Sequence, residues 1–185
     1  IIRADAEAAS GLRVDLAVFG LIPSWSKDRS IGRRTYNART ETVAEKPSYR
    51  TAWRQRQFCL VPVERFFEPC WETGKAVPWS IHRQDGEPFT VAAIWDRWTE
   101  RATGEIVVSF SMLTINAEGH PIMGRFHRPG DERRSLVVVP PSRWTDWLSA
   151  TPDTVRAMLA EMPVAEFTSE SVMGLSSTPA QASFL

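Results

Sequence analysis

The sequence predicts a single α+β domain, mainly β, on three observations. Apolar residues alternate or cluster in short runs that end at turn residues, helical patterns are few and brief, and 185 residues fill one ordinary domain. In chain order, Leu12, Val14, Leu16 and Val18 alternate with other residues, the period of a strand. Thr42 and Glu45 have the spacing of a capping box, and Pro47 divides that region into two short helices. Phe58–Val63 and residues 65–68 read as a pair of short strands. Residues 79–83 and 89–95 follow as strands, set off by turn signals at Gly74 and Asp85-Gly86. Residues 106–115 and 136–139 complete the strand set. Residues 141–148 and 153–162 read as helices, the second opened by Asp153 as N-cap, and 174–185 reads as a tail.

Composition bounds the function. At 43% hydrophobic and 24% charged residues the chain has the make-up of a soluble globular protein, which excludes disorder and fibrous repeats. No apolar run approaches the roughly 20 residues of a membrane span, and Arg3, Asp5 and Glu7 interrupt any secretory signal. Cys59 and Cys70 match neither a disulfide framework nor a zinc spacing. Cys59 lies in an apolar run and is expected in the core. A reducing, cytoplasmic compartment is therefore expected. His82, His120 and His127 are dispersed, so neither a metal nor a cofactor is expected. The chain opens on Ile1 rather than methionine, and the native N-terminus is expected to lie upstream.

The 22 basic and 22 acidic residues cancel, but their distribution is uneven. From Lys27 to Arg56 nine basic residues face only Asp28, Glu41 and Glu45, a net +6 (9 − 3). Interleaved with Trp25, Tyr36 and Trp53, this segment reads either as a phosphate-and-base surface or as a solvated basic face. A nucleophile elbow, a phosphate-cradling glycine loop and a dinucleotide fingerprint are all missing from the sequence. Four residues at strand ends or in turns remain as candidates. Asn37 and Arg39 share Tyr-Asn-Ala-Arg-Thr-Glu, and His127 sits in a charged turn. Glu68 follows Phe66-Phe67, where desolvation would raise its pKa toward that of a general acid. Singly, each also reads as an ordinary cap, a solvated carboxylate or an exposed histidine.

Read in order, the segments resemble the SOS response-associated peptidase (SRAP) family of abasic-site processing proteins. Phe19-Gly-Leu-Ile-Pro-Ser-Trp-Ser-Lys-Asp28 is similar to its Trp-Gly-Leu-x-Pro-Ser-Trp block, and Asn37-Ala-Arg-Thr-Glu-Thr-Val-Ala-Glu-Lys-Pro47 to its most specific signature. Arg56-Gln-Phe-Cys-Leu-Val-Pro62, Phe66-Phe-Glu68, Met112-Leu-Thr-Ile-Asn-Ala117 and His127 match further elements, so that the resemblance spans about Leu16 to Leu148. Pro69 stands where the family has tryptophan, and the turn from His127 to Arg134 is longer than the family's.

The resemblance implies a curved, barrel-like mixed β-sheet with a few short flanking helices. It implies action on abasic sites in single-stranded DNA through a cysteine exposed when the initiator methionine is removed. The amine of that cysteine forms a Schiff base with the sugar aldehyde and its thiol closes a thiazolidine. Neither Cys59 nor Cys70 can take that place. The implied catalytic residues are Asn37, Glu68 and His127; the implied DNA contacts are Arg39, Thr114 and Trp25. A silent single-strand-binding module of the same fold is the alternative implied.

Overall fold

A computed structural model describes residues 1–172, so the tail expected over 174–185 lies outside the described residues. The strands, in chain order, are β1 (Ile2–Ala4), β2 (Leu12–Val14), β3 (Val18–Phe19), β4 (Asn37–Arg39), β5 (Phe58–Val63), β6 (Arg65–Cys70), β7 (Val77–Arg83), β8 (Phe89–Thr99), β9 (Ile106–Asn116), β10 (Arg134–Leu136) and β11 (Phe167–Ser171). Three short α-helices accompany them: α1 (Arg50–Arg54), α2 (Trp144–Ser149) and α3 (Pro152–Arg156). The larger sheet runs β10-β9-β8-β5-β1-β2, with β3 and β4 joined to β9, and curls into a half-barrel. The smaller sheet is β11-β7-β6. Among the described residues no helix is long and apolar enough to cross a membrane.

Strand β9 organises the larger sheet because both of its edges are used. On one side β8 pairs antiparallel with Ile106 to Met112, and β10 takes over from Thr114 to Asn116. On the other side β3 and β4 run parallel to it, Phe19 opposite Phe110 and Arg39 opposite Thr114. Two apolar clusters fill the interior. Trp53, Phe58, Leu113 and Trp147 pack beneath the helices, whereas Phe89, Phe126 and Phe167 belong to the second cluster. Cys59 is fully buried in a satellite cluster, as its apolar run led one to expect.

The block between β3 and β4 has almost no ladder of its own and is pinned by side chains. Ser109 Oγ accepts from the Ile22 N–H at 2.8 Å, Asp96 Oδ2 accepts from Ser24 at 3.0 Å, and Trp98 Nε1 donates to the Ser26 carbonyl at 2.8 Å. Burial pushes the Asp96 carboxyl above its ordinary pKa, partly opposed by the Ser24 and Arg97 backbone amides. Gly20 lets the chain enter this block. Its φ is +103°, and a Cβ there would lie 2.1 Å from the Gly32 carbonyl oxygen.

Several elements depart from the sequence reading. The alternation over 12–18 is broken at Asp15: β2 pairs with β1, while β3 crosses to β9. Leu12, Val14, Leu16 and Val18 are all exposed, so the alternation marks no buried face. Residues 40–46 form successive turns rather than a capped helix, and one helix, α1, follows Pro47. A capping box does form, but between Thr151 and Thr154 at the start of α3; Asp153 lies inside its first turn and the helix ends at Arg156. Residues 141–143 are a single 3-10 turn preceding α2. Beyond Leu136, Val137 bridges two strands, its N–H donating to Leu113 of β9 and its carbonyl accepting from Ala92 of β8, and the Val139 N–H donates to the Thr90 carbonyl of β8. Trp53 is buried, edge-on to Phe58, so it offers no exposed ring in the basic segment.

The close approach at Gly20 predicts that Gly20→Ala costs about 3 kcal/mol, from a left-handed backbone and an unrelievable contact with backbone. Urea unfolding checks this; a loss under about 1 kcal/mol would show that the two segments separate easily.

Candidate functional site

Strand alternation decides what β4 presents. Ala38 points into the core and is fully buried, so Asn37 and Arg39 share the opposite face. Arg39 lies across from Thr114, and Thr114 in turn lies across from Leu136. The smaller sheet contributes Glu68 from β6, and the turn after Phe126 contributes His127. Together Asn37, Arg39, Glu68, Thr114, His127, Arg134, Ser135 and Leu136 line a cleft of about 220 Å³. Asn37, Glu68 and Leu136 also border an adjoining apolar groove of about 540 Å³, walled by Phe19, Phe67, Phe110 and Met112 among others.

Glu68 and His127 meet in the lining of the cleft, Oε2 to Nε2 at 3.9 Å. Desolvation raises the Glu68 carboxyl above its ordinary pKa, and the nearby His127 charge works against that rise. The histidine is held in an uncommon backbone state, with φ at +72°. Two contacts fix it: its N–H donates to the Pro69 carbonyl at 3.2 Å, and Cys70 forms a bridge with Phe126. Its Nδ1 is buried without a hydrogen-bond partner. A strained, incompletely satisfied histidine beside a desolvated carboxyl is an arrangement suited to proton transfer.

The same cleft is lined by a buried cation. Arg134, 9% exposed, gives Nη1 and Nη2 to the two oxygens of Glu41 at 2.9 and 2.8 Å, and Nη1 to Glu132 Oε1 at 2.7 Å. Its Nη2 also donates to the Thr114 carbonyl at 2.6 Å, and its Nε to the Thr114 hydroxyl at 3.4 Å. A buried guanidinium is tolerable only when so satisfied. The Arg134 contact holds the Glu41 and Glu132 carboxyls below the usual carboxylate range.

Of the six residues singled out from sequence, five line this cleft. Trp25 does not: its ring is half-exposed, and Nε1 donates to the Pro47 carbonyl at 3.2 Å. Thr114, expected to meet phosphate, also accepts from Arg134. Arg134 and Glu132 escaped the sequence reading. The turn offers Arg133 and Arg134 in succession, and only pairing with β9 turns the second inward, while Arg133 donates to the Gly124 carbonyl. Cys59 and Cys70 are both buried and line neither cavity. Among the described residues no group of His, Cys, Asp and Glu is fit to hold a metal.

The family model described as SOS response associated peptidase (SRAP) matches residues 1–175. The abasic site processing protein YoaM of Bacillus subtilis is 26% identical over 167 residues, 87% of this chain and 69% of its own length. The abasic site processing protein HMCES of Gallus gallus is 24% identical over 137 residues, 63% of this chain and 40% of its own length. A crystal structure of a Bordetella bronchiseptica protein has a TM-score of 0.78 at 35% identity, over 84% of this chain and 75% of that one. A second, from Bacteroides thetaiotaomicron, has a TM-score of 0.76 at 25% identity, over 92% and 72%.

The electrostatics of the pair predict a direction. His127→Asn removes the cation that lowers Glu68, and asparagine tolerates the left-handed backbone. The Glu68 carboxyl should then titrate at still higher pH than in the parent, followed by NMR of its side-chain carbon. An unchanged or lower value would mean that the two groups do not interact.

Proposed function

Because the chain belongs to the SOS response associated peptidase family, we propose that it processes abasic sites in single-stranded DNA by forming a covalent crosslink to the lesion. The observation that carries this reading is the convergence of a desolvated carboxyl, a histidine and an amide on a cleft that Arg39 and Arg134 also line. A sugar without its base needs a proton donor to open its ring, while its flanking phosphates need cations. This cleft offers both.

The nucleophile in this reading is a cysteine at the start of the encoded protein, freed by autoproteolytic removal of the initiator methionine. The amine of Ile1 donates to the Asp15 carbonyl at 2.8 Å and is not directed at the cleft. Ile1 packs with Val61 and Met112 against the Cys59–Ala93–Phe110 cluster. Val61, Phe110 and Met112 also wall the groove that runs into the cleft. Chain upstream of Ile1 would therefore reach Glu68 along that groove.

The steps balance as follows. Protonated Glu68 gives its proton to the sugar ring oxygen while the C1′ hydroxyl loses its own to water, so that the furanose opens to an aldehyde. The cysteine amine, with a pKa of about 8, is partly neutral at pH 7 and adds to C1′. The carbinolamine takes a proton and loses water, and the resulting iminium gives up its N–H proton to leave a neutral imine. The thiol sulfur then adds to C1′ as its proton passes to the imine nitrogen, closing a five-membered thiazolidine. Asn37 orients amine or sugar by its amide, and His127 relays protons with Glu68. Arg39 and Thr114 take the phosphates beside the lesion. The peptidase activity of the family name corresponds here to the methionine removal. The second reading, a single-strand-binding module without chemistry, draws on the lack of any cysteine lining the cleft among the described residues.

The deciding experiment incubates the protein, with its encoded N-terminus, with a single-stranded oligonucleotide bearing one abasic site. A heat-stable band on a denaturing gel is expected, and Glu68→Gln should slow its appearance by about 10²-fold. Binding without any such band would leave the silent module. Arg39→Ala should weaken binding and flatten the log–log salt dependence by about 0.7, the counterion fraction of one single-strand phosphate.

A further inference from the structure

Arg39, the residue assigned above to a DNA phosphate, is already occupied. Its Nη1 lies 2.8 Å from Glu132 Oε2, while Glu132 Oε1 lies 2.7 Å from Arg134 Nη1. One carboxylate therefore spans both cations, one oxygen to each. A phosphodiester presents the same pattern: a single negative charge over two equivalent oxygens.

We propose that Glu132 is a built-in mimic of a DNA backbone phosphate, seated between Arg39 and Arg134, which the phosphate beside the lesion must displace. This rests on the reading of the cleft as a DNA site. The mounting of Glu132 suits that role. The 128–132 turn is exposed, closed by the Asp131 N–H to Arg128 carbonyl bond at 3.0 Å, and turns at Gly130 with φ +92°. Both of its ends are fixed, His127 to Pro69 and Arg133 to Gly124. The turn can swing outward without disturbing either strand. Arg134 would not follow, because Glu41 and the Thr114 carbonyl hold it from the other side. The seat thus survives the departure of its occupant. Glu132 keeps the Arg39 guanidinium neutralised and oriented until an anion of matching geometry arrives, which disfavours weakly held or misplaced strands.

The test compares variants binding a fluorescein-labelled single-stranded 15-mer with a central tetrahydrofuran abasic analogue, read by anisotropy. Glu132→Gln should bind about three- to tenfold tighter, the range set by losing its two competing ion pairs. In an Arg39→Ala background that gain should shrink. Asp131→Asn removes a charge from the same turn that pairs with neither arginine, and should give a clearly smaller gain. Should Glu132→Gln fold poorly by circular dichroism, Glu132→Ala reads the same quantity. An equal gain from Asp131→Asn, or none from Glu132→Gln, overturns the proposal. A second arm separates it from the functional reading: inorganic phosphate should raise the melting temperature of Glu132→Gln more than that of the parent. A phosphate effect with no oligonucleotide binding by any form would keep the seat and sink the DNA reading. No effect in either arm would sink the seat.

Discussion

Strand β9 is buried along most of its length, and buried backbone amides and carbonyls must find partners on both edges. The fold follows from meeting that demand. One edge is filled by β8 and then β10, the other by two short parallel segments drawn from the region between residues 18 and 39. A parallel segment of three residues has little stability alone, and β4 exists because β9 supplies its ladder and the core accepts Ala38. Once Ala38 is committed inward, Asn37 and Arg39 have no choice but to face the cleft. The position of two functional side chains is thus a by-product of satisfying another strand.

The second determinant is electrostatic. Arg134 enters the fold as a charge that would be prohibitive to bury alone, and its partners come from three separate stretches: Glu41 after β4, Thr114 on β9 and Glu132 in the preceding turn. That set of contacts holds a cation in the lining of the cleft. Elsewhere in the lining desolvation outweighs the nearby His127 charge, and the Glu68 carboxyl is pushed toward its neutral form. One cleft thus holds both a permanent cation and a protonatable acid.

Much of this was legible in the sequence, for identifiable reasons. The long strands β8 and β9 announce themselves by β-branched and aromatic runs, and the Asn37, Glu68 and His127 segments carry recognisable motifs. What was hidden depends on long-range pairing. The three-residue strands β1, β4 and β10 have no periodicity to read, because their hydrogen bonds are dictated by β5 and β9. The alternation at 12–18 looked like a strand but lies on exposed chain that Asp15 interrupts, its carboxylate bound by Arg3 and Arg13. Thr42 and Glu45 had the spacing of a cap without the helix, whereas Thr151 and Thr154 formed a cap without the expected glutamate. Local chemistry names candidates for a cap; the surrounding packing selects among them.

In the smaller sheet, Pro69 of β6 lies directly opposite Pro78 of β7. Neither residue has an N–H, yet the ladder between the two strands loses nothing: the Pro69 carbonyl faces outward to His127 and the Pro78 carbonyl to Val172, so the two prolines meet as a non-hydrogen-bonded pair. The pairs on either side, Glu68 with Trp79 and Cys70 with Val77, keep their places in the ladder. The outer edge of β6 is left to the histidine-bearing turn, through Pro69 to His127 and Cys70 to Phe126. Glu68 is thus anchored by its own sheet along one edge of its strand, while the other edge carries the histidine. Sheet and turn together set the spacing of the proton-handling pair.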